Sequence, residues 1–266
     1  MFRFRSAFRI PHSELTMRVT ILGAGTAIPA TGYSPAGIYV QVAREHVLLD
    51  AGPGTLQRLH AAGAPFTDLD RIFITHFHLD HSYDLASILF ALRIPDVKRR
   101  KPLIVYGPPG LAKFYRRLNT AFRGWLSPRG FRVRFVEVQD ATLRLPGYTV
   151  RSKRMHHYRT RAVGYRLTAA GRSLAYSGDT RACECVAELG RKADALILEC
   201  SVTDEKKVDG HLTPSDCGWI AGEAKCRRLV LTHFYPVFKG YDIGRRVRRH
   251  FRGPLTLARD FTTLRV

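Results

Sequence analysis

Thr75-His76-Phe77-His78-Leu79-Asp80-His81 follows directly on the strand-like run Arg71-Ile72-Phe73-Ile74. Three imidazoles and a carboxylate packed this densely do not suit an ordinary core, where each unpaired polar group costs a few kcal/mol. A divalent metal resolves the conflict, because it takes neutral imidazole nitrogen and carboxylate oxygen at about 2.0–2.2 Å. If the run leaves the strand as a tight loop, His76 and His78 project to one side by the alternation of an extended chain. Asp80 and His81, past the turn, then face a second ion. The bland alternative is a surface loop with chance histidines; it is the weaker reading, because single matches are common and clusters are not.

The rest of the chain repeats one grammar, a strand that ends in a ligand-type residue at a turn. Val47-Leu48-Leu49-Asp50-Ala51-Gly52-Pro53-Gly54 delivers a carboxylate, and so does Leu174-Ala175-Tyr176-Ser177-Gly178-Asp179-Thr180. Leu229-Val230-Leu231-Thr232-His233-Phe234 delivers an imidazole, and Arg151-Ser152-Lys153-Arg154-Met155-His156-His157 offers two more. Strand ends with short Gly-containing turns are where active-site residues sit in α/β proteins. A lone Asp before Gly is ordinarily a turn residue. The case is joint, resting on the order of these segments around the histidine cluster.

His76-Phe77-His78-Leu79-Asp80-His81 resembles the HxHxDH signature of the metallo-β-lactamase fold hydrolases, and the resemblance runs from Met17 to about Leu257. The ribonuclease Z-like branch is the nearest. Leu22-Gly23-Ala24-Gly25-Thr26-Ala27-Ile28-Pro29 resembles its opening strand and glycine loop, and Tyr176 to Thr180 and Leu231 to Phe234 resemble its later ligand motifs. Leu196-Ile197-Leu198-Glu199-Cys200 followed by Gly210-His211-Leu212-Thr213 resembles the Glu and His-x-Thr pair of that branch.

This resemblance implies an αββα four-layer sandwich, two facing mixed sheets with helices outside, and two zinc ions, with manganese or iron as substitutes. His76, His78 and His157 would hold one ion, with His156 as the alternative to His157. Asp80, His81 and His233 would hold the other, and Asp179 and a hydroxide would bridge the pair. Asp50 would orient ligand imidazoles through hydrogen bonds. Two ions about 3.5–4 Å apart make a bridging hydroxide available at neutral pH. Asp80 could act as general base, and His211, held by Glu199 or a neighbour, could stabilise the transition state or protonate the leaving oxygen. Thr213-Pro214-Ser215-Asp216 also reads as a helix start, so His211 lies in a capping loop as well.

Charge narrows the substrate. Lys and Arg number 43 against 22 Asp and Glu, a net of +21. Such a field attracts polyanions and strengthens phosphate contacts. The excess gathers at Lys98-Arg99-Arg100-Lys101, Lys113 to Arg117, Arg151 to Arg161, and Arg245 to Arg252, the last read as the basic face of a helix. An anionic substrate follows, with RNA as one form of it. Hydrophobic residues make up 45% and no apolar stretch reaches membrane-span length, so a membrane partner is not expected. Five cysteines at 183, 185, 200, 217 and 226, odd in number and without zinc-ribbon spacing, fit free thiols in a reducing, cytoplasmic setting. Cys183 and Cys185 could be a redox pair or metal ligands, but a Cys-x-Cys in an expected helix reads more readily as packing.

The organisation read from the chain is an extension over residues 1–16, alternating aromatic and arginine at its start, and one hydrolase domain over 17–266. Strands are expected near 18–22, 37–42, 46–49, 71–75, 131–137, 148–155, 162–168, 173–177, 194–198 and 227–232. Helices are expected near 54–62, 83–95, 108–121, 181–190, 214–224 and 240–251. Gly107-Pro108-Pro109-Gly110 reads as a turn, or as a phosphate loop at a helix start.

Two features depart from the ribonuclease Z pattern. Leu79 stands where that branch usually has glycine. The long arm that grips the transfer-RNA elbow has no counterpart, since His157 to Asp179 leaves room for little beyond a strand hairpin. The expected activity is a phosphodiesterase, in its sharpest form a 3′-processing endoribonuclease for transfer RNA. An ester or lactone hydrolase for a small anion is the enzymatic alternative, and a nucleic-acid-binding module the non-enzymatic one. A homodimer is compatible with either.

Overall fold

The apolar runs pair into two seven-stranded sheets in a computed structural model that describes residues 16–266; the expected N-terminal extension lies, apart from Thr16, outside them. In the first sheet β1 (Arg18–Gly23), β2 (Gly37–Val42) and β3 (Glu45–Leu49) pair antiparallel, and β4 (Leu69–Phe73), β5 (Leu103–Gly107) and β6 (Val133–Glu137) continue in parallel. The second sheet follows the same plan. Here β7 (Thr142–Leu145), β8 (Tyr148–His157), β9 (Thr160–Ala169) and β10 (Arg172–Tyr176) pair antiparallel. From β10, β11 (Ala195–Glu199), β12 (Leu229–Thr232) and β13 (Leu255–Leu257) run in parallel. The C-terminal β14 (Thr262–Arg265) returns to the edge of the first sheet beside β1.

Burial explains which strands do which. β11 and β12 are covered on both faces and read as unbroken apolar runs, as parallel strands must. β8 alternates buried Tyr148, Val150 and Ser152 with exposed Thr149 and Arg151, the pattern of a strand wet on one side. Between the sheets, Val19, Ile21, Val47, Leu49 and Phe73 face Val150, Val163, Tyr165, Leu174 and Ile197.

Helices cover the outer faces. α1 (Thr55–Ala61), α2 (Leu79–Ser82), α3 (Asp84–Leu92) and α4 (Leu111–Ala121) are spliced into the first half of the chain, and an apolar cluster built on Leu59, Ile72, Ile88, Val105 and Leu111 lies there. α5 (Glu184–Gly190), α6 (Pro214–Ala224) and α7 (Ile243–Val247) belong to the second half, over Val186, Leu196, Cys217, Ile220, Leu231 and Val247. The result is the αββα sandwich expected from the sequence. Glu45 ties the sheets together: Arg71 of the same sheet grips its carboxylate at 2.6 and 2.8 Å, and the hydroxyl of Tyr148 from the facing sheet donates to it at 2.6 Å.

Three sequence readings change. The helix expected over 240–251 closes after Val247, where the arginine-rich run Arg248-Arg249-His250 leads as a turn to buried Phe251. Arg248, Arg249 and Arg252 therefore lie beyond it and form no helix face. Arg99, counted in a basic cluster, is buried, and its guanidinium donates to the Thr67, Leu69 and Pro102 carbonyls. Its charge holds a loop and is not offered to a polyanion. Cys183 and Cys185 are joined in a disulfide, correcting the expectation of free thiols and of simple helix packing at both. Cys183 is the extended residue capping α5, and this brings the two Cα atoms to 5.3 Å, within bridging range. Cys200, Cys217 and Cys226 are free and buried.

Candidate metal centre

Every segment singled out for its strand-end residue reaches one end of the sandwich. β4 delivers the His76–His81 loop, β3 delivers Asp50, β8 delivers His157, and the ends of β10, β11 and β12 deliver Asp179, Glu199 and His233. Gly178 makes the tight approach feasible: its φ is +59°, and an added Cβ would lie 2.7 Å from the Thr75 Cβ. Asp50 and His233 themselves adopt left-handed φ values of 58° and 60°. Such strain costs of order 1–3 kcal/mol each and persists where surrounding bonds over-determine it.

Asp50 is fully buried and accepts four hydrogen bonds. Oδ1 takes the Thr75 N–H at 2.7 Å. Oδ2 takes the Thr75 hydroxyl at 2.9 Å, His81 Nδ1 at 2.8 Å and the Tyr176 hydroxyl at 2.9 Å. The His81 proton is thereby fixed on Nδ1, and Nε2 turns inward. His157 is set the same way, since its Nδ1 donates to the Gly210 carbonyl at 2.7 Å. Ser201 meets His233 Nδ1 at 2.9 Å, again leaving Nε2 for the centre.

The inward atoms crowd together without partners suited to them. His157 Nε2 lies 3.0 Å from His78 Nδ1, and His81 Nε2 lies 3.1 Å from His233 Nε2. Asp179 reaches toward His81 at 3.3 Å, His233 at 3.6 Å, and His76 and His157 at 3.9 Å each. His76 Nε2 and Asp179 Oδ1 are buried with no hydrogen-bond partner. Orphaned buried groups of this kind are costly, and a cation among them satisfies all at once. The donor set fits two ions. His76, His78 and His157 offer atoms within 4.8 Å of one another, as do Asp80, His81 and His233, while Asp179 stands between the groups.

Protonation suits this use. Burial pushes His76, His78 and His157 below the ordinary imidazole range, so their lone pairs are free at neutral pH. Burial would raise Asp80, yet the hydrogen bond from His233 and the nearby His81 hold it at about 2. His81 differs: burial opposes its charge, but Asp179 and Asp50 override it and hold it above the ordinary imidazole range, so a metal ion would have to displace the proton from its Nε2.

His211 and Glu199 meet beside the cage. His211 Nδ1 lies 3.1 Å from both Glu199 oxygens and 4.0 Å from Asp179 Oδ2. Burial would lower the His211 pKa, but the Glu199 carboxylate lifts it to about 9. Glu199 is itself held by the Thr180 N–H at 2.8 Å and the Ser201 hydroxyl at 2.5 Å. Thr213 caps α6 through a capping box with Asp216, so the segment after His211 is both a helix start and the mount for an imidazole.

Sequence reading missed the supporting groups Thr75, Tyr176, Thr180 and Ser201, whose residue types carry no ligand signal. It also missed Tyr158 and Tyr235, whose rings stand 5.7 and 6.1 Å from that of His211. Their only sequence mark is nearness to His157 and His233. His156 points away from the cage, and its N–H donates to the Thr180 hydroxyl at 3.2 Å. The Gly107–Gly110 segment is a turn: the Ala112 N–H that follows it is taken by Glu137 at 3.1 Å.

Comparison with known proteins agrees with this geometry. The family model for the beta-lactamase superfamily domain matches residues 45–234. Ribonuclease Z of Methanosarcina acetivorans is 30% identical, over 82% of this chain and 87% of that protein. The metallo-beta-lactamase fold protein YhfI of Bacillus subtilis shares the fold, with a TM-score of 0.81 at 23% identity, over 94% of this chain and 99% of the other. The short form of human tRNase Z superposes with a TM-score of 0.74 at 25% identity, over 93% and 98% of the two chains.

Proposed function

The chain belongs to the metallo-β-lactamase superfamily, close to its ribonuclease Z branch, and from that premise we propose that this metal-dependent hydrolase is a zinc phosphodiesterase that trims the 3′ end of precursor transfer RNA. The observation that carries the reading is the His211–Glu199 pair set beside a cage of six imidazole and carboxylate ligands and the central Asp179. Bound divalent ions there supply an activated water near neutral pH and positive charge against the phosphate oxygens.

The chain's own residues do the remaining work. Asp80, ionised, faces the cage and is placed to accept a proton as attack begins. His211, protonated at neutral pH, donates to the leaving oxygen, and Glu199 keeps its Nδ1 side anchored. Exposed Arg159 sits beside Tyr158 in the β8–β9 turn, with exposed Arg161 just after it, and these cations would meet the phosphates of a polyanion. The net charge of +21 supports an RNA substrate in place of a small neutral ester.

The test is cleavage of a precursor transfer RNA with a 3′ trailer by metal-loaded protein, beside His78→Ala. Cleavage after the discriminator nucleotide, lost in the variant and weakened steeply by salt, is the expected result. No cleavage, with the variant differing only on a small phosphodiester, would discard transfer RNA as the substrate and keep the metal-dependent hydrolase.

A further inference from the structure

His156 lies outside the cage, yet it has a ligand-type environment of its own. Its ring nitrogen and the sulfurs of Cys183 and Cys185 all lie within 4.8 Å of one another, and all three residues are half-buried. The grouping is built by the backbone. The Arg181 N–H donates to the His156 carbonyl at 2.7 Å, and the His156 N–H meets Thr180 Oγ1 at 3.2 Å, so the 180–185 segment runs along the end of β8. His157 then faces the cage and His156 faces the sulfurs, by the alternation of a strand.

We propose that Cys183, Cys185 and His156 form a separate, sulfur-containing site for a soft divalent cation such as zinc, closed when the sulfurs are bonded and opened by reduction. A dithiol reductant gives two electrons and two protons, the S–S bond breaks into two thiols, and the reductant leaves as its own disulfide. Binding of the cation then releases both thiol protons to solvent, and neutral His156 supplies the third ligand. Tetrahedral zinc, with Zn–S near 2.3 Å and Zn–N near 2.0–2.1 Å, needs ligand atoms roughly 3.5–3.8 Å apart. The Cα atoms of the two cysteines stand 5.3 Å apart, and the His156 nitrogen lies within 4.8 Å of the sulfurs, so reduction leaves three ligand atoms to close on one ion. Solvent fills the fourth position at this half-buried rim.

The disulfide closes a loop of only three residues, so its contribution to chain entropy is among the smallest a disulfide can make. A fold-stabilising staple is therefore a poor account of the pair. Its position is not neutral either: the segment that carries the two cysteines begins with Asp179 and Thr180. A cation at this site would clamp that segment to β8, and with it the spacing of Asp179 from His157.

Cobalt(II) separates this site from the cage, because cage ligands are nitrogen and oxygen only. The protein is reduced with excess dithiol, desalted without air and titrated with cobalt. A thiolate-to-cobalt charge-transfer band is expected, saturating at about one equivalent per chain beyond those bound in the oxidised protein. The band should be lost in Cys183→Ser/Cys185→Ser, which keeps the three buried thiols, and lost in His156→Ala at the cobalt level that just saturates the wild-type band. No band in the reduced protein, a band that survives the double variant, or an undiminished band in His156→Ala overturns the site. Near-native thermal melting of the variants excludes misfolding as the cause of a loss.

Discussion

Replacing Asp50 by Asn keeps the shape of the side chain and inverts one of its two polar ends. The carboxylate accepts four hydrogen bonds, three of them on Oδ2. If the amide oxygen stays at the Oδ2 position, its NH2 meets the Thr75 N–H, donor against donor, across what is now a 2.7 Å contact. If the amide turns over, NH2 faces Thr75, Tyr176 and His81 Nδ1. The two hydroxyls can rotate to accept, but His81 can accept only by moving its proton to Nε2, the nitrogen that faces Asp179 and His233. Either way the cage loses a correctly set imidazole or gains a buried clash. Loss of an outer partner of this kind costs about 10–100-fold in metal affinity, or roughly 1.4–2.8 kcal/mol. A chelator competition titration on wild type and Asp50→Asn measures it directly. Affinity within about twofold of wild type would refute the claim that Asp50 sets the His81 tautomer.

Other consequences follow from the same contacts. Glu199→Gln removes the charge that holds His211 at about 9 and leaves burial to pull it down, so the alkaline limb of the kcat profile should move to lower pH. His211 is protonated below its pKa and loses the proton as pH rises through it; an unmoved limb would show that His211 is not the proton donor. Gly178→Ala forces a side chain onto a φ of +59° and within 2.7 Å of Thr75, so it should lower stability by at least about 1–3 kcal/mol in denaturant melts, with loss of metal binding. Glu45→Ala leaves the buried Arg71 guanidinium unpaired and should cost about 3–5 kcal/mol, read as a fall in Tm without change in metal stoichiometry.

The ligands were legible because metal chemistry cannot be disguised in sequence: few environments other than an ion accept His76, His78, Asp80 and His81 together. The two-sheet plan was legible for a similar reason, since β11 and β12 are buried on both faces and read as apolar runs. β7, β13 and β14 escaped because they are short and half-wet, with no apolar run to mark them, whereas β5 was missed although Leu103–Gly107 is a largely buried apolar run. Thr75, Tyr176 and Ser201 escaped because a hydrogen bond to a ligand asks only for a hydroxyl, which any surface could supply. Arg99 misled because charge in a sequence says nothing about whether carbonyls enclose it.

The arrangement of ligands between the sheets explains why this fold makes the centre. His76, His78, Asp80 and His81 come from the first sheet, and His157, Asp179 and His233 come from the second. Their convergence depends on the register of one sheet against the other, which non-directional apolar packing leaves free to slide. Directional bonds fix it at the point of use. The Val163 N–H donates to the Thr75 carbonyl at 2.9 Å, and the Tyr165 hydroxyl donates to the Ile74 carbonyl at 2.8 Å, both from β9 to the end of β4. The Tyr176 hydroxyl reaches Asp50 across the same gap. Each bond lands on the residues immediately before the His76–His81 loop or on the carboxylate that orients it. Ions shared by the two sheets would close this end of the sandwich, and at 100 times Kd a ligand confined to the folded state adds about 2.7 kcal/mol. That is comparable to the strain of order 1–3 kcal/mol at each of Asp50 and His233. The strained backbone at the strand ends and the metal that needs it are thus two sides of one balance.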